Sequence, residues 1–126
     1  MKSICELVQA LDGGLVPVVH RGAETFRLGS SYNGRYAAER WADRYVEERV
    51  ENVVLFGLGD CHIVLQLLRK VPGYVLVYEP DPAIFQEVRQ SPLFAKFRDE
   101  QKLYILYGGE DQWIPLRDVI TDILND

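Results

Sequence analysis

The chain has 126 residues, 48% hydrophobic and 26% charged, which suits one domain with a single buried core and excludes a disordered or collagen-like polymer. Fourteen Lys and Arg stand against 19 Asp and Glu, a formal net charge of -5, so the basic excess that a nucleic-acid binder uses to neutralise phosphates is missing. Two cysteines, Cys5 and Cys61, are too few for a disulfide framework and fit a reducing compartment.

Residues 3–11 place Ile4, Leu7, Val8 and Leu11 at helical spacing and predict a short amphipathic helix ended by Asp12-Gly13-Gly14. Glu6 and Gln9 interrupt these apolar positions, so they do not read as a signal peptide. Residues 15–20 and 25–28 form two β-rich runs around Arg21-Gly22-Ala23-Glu24, the pattern of a hairpin. Pro17 implies that its strand lies at an edge or starts late. Asn33 is placed to cap a helix over about 35–49, with Ala38, Trp41, Ala42, Tyr45 and Val46 on one face. On the other face, Arg40 with Asp43 and Arg44 with Glu48 are spaced to pair, as on a solvated helix surface.

From residue 52 the pattern becomes a regular alternation. Asn52–Phe56 is a continuous apolar run, expected of a strand buried on both faces of a parallel sheet. Gly57-Leu58-Gly59-Asp60 turns the chain, and residues 61–70 predict a helix through Ile63, Val64, Leu67 and Leu68, stopped by Pro72-Gly73. Tyr74–Tyr78 is a second buried strand. Asp81 and Pro82 then open a helix reaching about Gln90. Leu103–Tyr107 is a third strand, ended by Gly108-Gly109. A last helix starts near Pro115 and carries Leu116, Val119, Ile120, Ile123 and Leu124 on one face. The expected fold class is therefore α/β: a Rossmann-like, methyltransferase-like parallel sheet with helices on both faces, preceded by a short helix and a hairpin. Residues 1–50 hold the N-terminal helix, hairpin and capping helix, and 51–126 the β-α-β-α-β-α half. No apolar run approaches the roughly 18 residues of a membrane span, and the expected location is the cytoplasm.

In open parallel sheets ligands bind beyond the carboxyl ends of the strands, where helix N-termini present free N–H groups. The turns gathering there are Gly57-Leu58-Gly59-Asp60, Glu79-Pro80-Asp81 and Gly108-Gly109-Glu110-Asp111. Gly57 and Gly59 permit a tight turn and close approach to a ligand. Glu79, 20 residues beyond Gly59, is spaced to accept both hydrogen bonds of a ribose diol. The candidate cofactor-binding set is Gly57, Leu58, Gly59, Asp60, Glu79 and Glu110, for a nucleotide or an S-adenosylmethionine-like ligand. In the latter case Gly57 and Gly59 lie near the methionine part, and Glu110 or Asp111 faces the adenine amine. The bland alternative is that the glycines only turn the chain and Glu79 is solvated beside a helix end.

The third glycine of a Gly-x-Gly-x-Gly pattern falls on Cys61, whose side chain would narrow the approach. Its place at a helix N-terminus makes a reactive thiolate conceivable, with a packed small residue the favoured reading. Neither His20 nor His62 belongs to a metal-ligand cluster, so no structural metal is expected. Trp41, Tyr104, Tyr107 and Trp113 read most simply as core aromatics, with sugar stacking open to any that prove exposed.

Three segments carry a family resemblance. Leu28-Gly29-Ser30-Ser31-Tyr32-Asn33-Gly34 before Ala37-Ala38-Glu39-Arg40-Trp41, Val54–His62 with its Phe-Gly-Leu-Gly-Asp, and Val77-Tyr78-Glu79-Pro80-Asp81-Pro82-Ala83-Ile84-Phe85 occur in that order. Together they resemble the motility accessory factor proteins, bacterial flagellin glycosyltransferases, from about residue 15 onward. Two departures stand out: Asn33-Gly34 occupies the place of that family's usual Asp-Pro, and the glycine turn lacks its last glycine. The resemblance implies an N-terminal, methyltransferase-like domain of a longer enzyme. The following domain would carry the transfer of a nonulosonic acid, such as pseudaminic acid, to flagellin, so no catalytic residue is expected in this chain. The implied partners are that catalytic domain and flagellin. Separately, the edges of three parallel strands call for a hairpin, another domain or a second copy of the chain to cover them, and charge and hydropathy point to neither nucleic acid nor membrane. The alternatives are an S-adenosylmethionine-dependent methyltransferase-like domain and a pure interaction module.

Overall fold

The computed structural model describes residues 3–109 and 113–125. The first segment is a strand, β1 (Ile4–Gln9), and not the helix its spacing suggests. It pairs antiparallel with β2 (Leu15–Arg21) from Ile4 opposite His20 to Gln9 opposite Leu15. Cys5 and Leu7 turn into the core while Ile4 and Glu6 face out, so a period of two overrides the weak helical spacing. β3 (Glu24–Arg27) completes the hairpin on the other side of β2.

Pro17 thus lies in a central strand, contrary to the edge position expected of it. Its carbonyl accepts from Leu28 N (2.9 Å), one residue past the end of β3. The nitrogen of an antiparallel residue points to the same side as its carbonyl, so the missing donor falls where the ladder has already stopped.

Asn33 caps α1 (Gly34–Tyr45) by accepting from Tyr36 N at 2.9 Å. The helix ends four residues before the expected 49, with Val46 already extended. Glu47 and Glu48 follow, and like charge at the negative end of the helix dipole opposes continuation. The expected charge pairs are replaced: Arg35 pairs with Glu39 at 2.9 Å, and Asp43 reaches Lys70 on the neighbouring helix. Ala38 and Ala42 are buried, allowing close approach to α2 (His62–Lys70), whereas Tyr45 is exposed.

The second sheet is parallel, in the order β4 (Val53–Phe56), β5 (Val75–Glu79), β6 (Leu103–Tyr107). Every residue of central β5 is buried. Val75 and Val77 join the larger core with Val64 and Leu67 of α2 and with Ile84, Phe85 and Val88 of α3 (Pro82–Val88). Leu76 and Tyr78 face the other way, against Leu116, Val119 and Ile120 of α5 (Trp113–Asn125), numbered after the short α4 (Pro92–Ala95). α4 was not anticipated, although Ser91-Pro92 spells a cap and a first-turn proline, and Ser91 Oγ accepts from Phe94 N at 3.3 Å.

One expectation fails on β4. The run reads as doubly buried, yet Val54 and Phe56 are 38% and 64% exposed, because β4 is an edge strand and α5 covers only its neighbours. Cys5 and Val19 of the hairpin sheet belong to the same core as β5 and α3, so the chain is a mixed α/β structure with two three-stranded sheets sharing apolar contacts.

Candidate functional site

At the carboxyl end of β4 the ladder closes with Gly57 N on Tyr78 O (2.8 Å), and the chain then reverses. Gly57 and Gly59 have φ of +98° and +56°, left-handed values that a Cβ disfavours. Cys61 follows at φ +75° without that freedom. A non-glycine residue in this region costs on the order of 1–3 kcal/mol. The missing third glycine therefore acts on the backbone and not, as expected, on ligand approach. The Cys61 side chain is fully buried in the core, away from the space above the turn. Burial, reinforced by Asp60, pushes its thiol up to about 12 against a hydrogen bond with Ser91, so the packed reading holds over the reactive one.

The carboxylates at the strand ends are used internally. Glu79 is only 3% exposed; its Oε1 accepts from Leu58 N at 2.9 Å and its Oε2 from Asp81 N at 3.0 Å. It is neither solvated nor turned outward as a free acceptor for a diol, and instead ties the turn after β4 to the turn after β5. Burial raises its pKa above the usual glutamate value despite these bonds. Asp60 Oδ1 accepts from His62 N (3.1 Å) at the start of α2, and burial also raises its pKa against that bond. Asp81 caps α3 through Ala83 N (2.9 Å) and pairs with Arg21 Nη2 at 2.8 Å, while Arg21 Nε donates to Ser3 Oγ at 2.7 Å. Burial alone would raise the Asp81 pKa; the bonds from Arg21, Ser3 and Ala83 hold it below the ordinary value.

Above these turns lies a cleft of about 720 Å³. One wall is the Leu28–Gly34 segment with Ala37, Ala38 and Trp41 of α1; the other runs from Leu55 and Phe56 through the glycine turn to Glu79 and Ile84. Ser30 Oγ folds the first segment by accepting from Tyr32 N and Asn33 N, both at 3.1 Å. Two glycines let this segment close on the turn. A Cβ on Gly29 would lie 2.5 Å from Asp60 Oδ2, and one on Gly34 would lie 2.5 Å from His62 Cδ2 and 2.6 Å from the same oxygen. Asn33 thus supplies the cap of α1, and Gly34 fits against His62 where a side chain would collide.

Gly57, Leu58, Gly59, Asp60 and Glu79 all line the cleft, though the Leu58 side chain itself is buried. Glu110 and Asp111 lie outside the described residues. The preceding Gly108 and Gly109 face Tyr78, whose hydroxyl donates to both carbonyls at 3.0 Å. Trp41 and Phe56 as cleft walls, and the Arg21–Asp81 pair, were not foreseen as site features, because each depends on elements distant in sequence. Tyr104 and Tyr107, read as core, are 41% and 44% exposed, and the Tyr107 ring stacks on Phe85 with centroids 3.8 Å apart. The side chain of Trp113 lies outside the description.

Among the described residues, no group of three or more His, Cys, Asp and Glu is gathered as a metal site would need, and no helix is long and apolar enough to cross a membrane. In comparisons with known proteins, no family model matches the chain and no curated protein matches it.

Proposed function

We propose that the chain is a Rossmann-like front domain of a motility-accessory-factor-type glycosyltransferase, itself non-catalytic, with a cleft that holds a small nucleoside-like ligand. One observation carries this reading. The three segments of the resemblance, separated by up to some 50 residues in sequence, supply opposite walls of one cleft. The β-α-β-α-β order from β4 to β6, with β5 between its neighbours and the cleft at the carboxyl ends, supports the Rossmann-like assignment. The non-catalytic reading is supported by the acids among the described residues: Asp60, Glu79 and Asp81 each hold backbone N–H groups in place.

Ala37 is exposed on the rim, so Ala37→Trp fills the cleft from a position that tolerates bulk. In the native full-length protein, produced in its own cells, this change lowers the nonulosonic acid content of flagellin, read from its intact mass. The 126-residue chain alone transfers no sugar from an activated donor. Unchanged flagellin mass after disruption of the gene, or turnover by the isolated chain, overturns the proposal. The second reading, an S-adenosylmethionine-dependent methyltransferase-like domain, draws on the same cleft and on Glu79 at the end of β5. Calorimetry with S-adenosylmethionine tests it, and absence of binding at millimolar ligand removes it.

A further inference from the structure

Resting on the reading of the cleft as a ligand site, we infer that its ligand is a nucleoside-sized organic cation and not a phosphorylated nucleotide. A phosphate at a strand-to-helix turn is held by free backbone N–H groups at the helix start. Several of those groups are already engaged here. His62 N, at the first turn of α2, is bound to Asp60, and Ala83 N, at the first turn of α3, to Asp81. Leu58 N and Asp81 N are both bound to Glu79. At these four amides a phosphate would have to displace a carboxylate.

The charge of the lining points the same way. Its ionisable groups are Asp60 and Glu79 against Arg21, and the Arg21 guanidinium is bound to Asp81. The remaining walls are largely apolar, from Leu28, Ala38, Leu55, Ile63 and Ile84. Charge acts more strongly beside apolar walls than in open water. An entering anion is opposed by the Asp60 carboxylate, with Glu79 buried behind the turn on the same side, whereas an entering cation is attracted. Trp41 adds an aromatic side chain to the same space, and aromatic rings attract organic cations.

The test is a charge series on one nucleoside: 5′-amino-5′-deoxyadenosine, adenosine and adenosine 5′-diphosphate, titrated into the isotopically labelled 126-residue chain. Affinity and the amide shifts of residues 57–60 are followed together. The amine binds at least tenfold more tightly than the diphosphate, with adenosine between them. Ala37→Lys, a cation placed on the exposed rim, narrows that ratio without touching the turns. A diphosphate that binds as tightly as the amine overturns the inference, as does a series in which none of the three moves the cleft amides. Its failure is separable from that of the transferase reading. Loss of flagellin glycosylation in Ala37→Trp without the charge order sinks only the ligand class, and the charge order with unaltered flagellin sinks only the transferase.

Discussion

Replacing Glu79 tests the architecture of the site directly. Its two carboxylate oxygens accept from Leu58 N and Asp81 N at 2.9 and 3.0 Å in a site 3% exposed. Glu79→Ala leaves both donors without their partner. Each buried donor so stranded costs about 1–3 kcal/mol, so the variant loses roughly 2–6 kcal/mol of stability. Glu79→Gln keeps one acceptor oxygen but turns an amide NH2 against the other N–H, and loses about 1–3 kcal/mol. Urea unfolding measures both losses, and hydrogen exchange at the Leu58 and Asp81 amides localises them.

The pH dependence supplies a second arm with a definite sign. The folded pKa of Glu79 lies above the ordinary 4.5, so between that value and the raised one the folded state binds more protons than the unfolded chain. Stability from this group therefore falls as pH rises through the window and is recovered on acidification. Glutamine does not titrate, so the deficit of Glu79→Gln relative to the parent grows as pH drops from 7 toward 4.5. Variants within about 0.5 kcal/mol of the parent, with unchanged exchange at Leu58 and Asp81, would refute the clamp, since that is the range of surface substitutions without a structural role.

Three further outcomes follow from packing and backbone geometry. Cys61→Gly relieves a left-handed backbone while losing a buried thiol and stays within about 1 kcal/mol of the parent. The β-branched Cys61→Val is destabilised by more than 2 kcal/mol, and thermal unfolding of the pair reveals the difference. Leu116→Ala, in a fully buried side chain, costs about 2–5 kcal/mol in denaturant unfolding if α5 covers Leu76 and Tyr78; a loss under 1 kcal/mol would place α5 elsewhere. Arg21→Ala changes stability by about 1 kcal/mol because the Arg21 side chain is 44% exposed, and raises the Asp81 pKa toward its ordinary value, which NMR titration detects.

Some of this structure is legible from local pattern. The all-apolar Val75–Val77 segment reads as a buried central strand, and Asn33, Asp81 and Pro82 mark helix starts, because a cap is a contact between residues two or three apart. The glycine turn likewise falls where Gly57 and Gly59 allow left-handed backbone. Other features resist such a reading. Ile4–Gln9 carries apolar residues that fit either period, and only pairing with β2 makes it a strand. Phe56 looks like core until the strand order puts β4 at the edge.

The site divides in the same way. Its position, and Gly57, Gly59, Asp60 and Glu79 as its components, follow from spacing along the chain. What those groups do was decided by the tertiary structure. Glu79 faces inward because folding brings the Leu58 and Asp81 amides to it, and Cys61 bears strain because the core takes its side chain. The cleft exists because residues 28–34 close over a turn nearly 30 residues away. Spacing specifies contacts within a turn or helix, but the direction of a carboxylate or the covering of a strand depends on partners that only folding supplies.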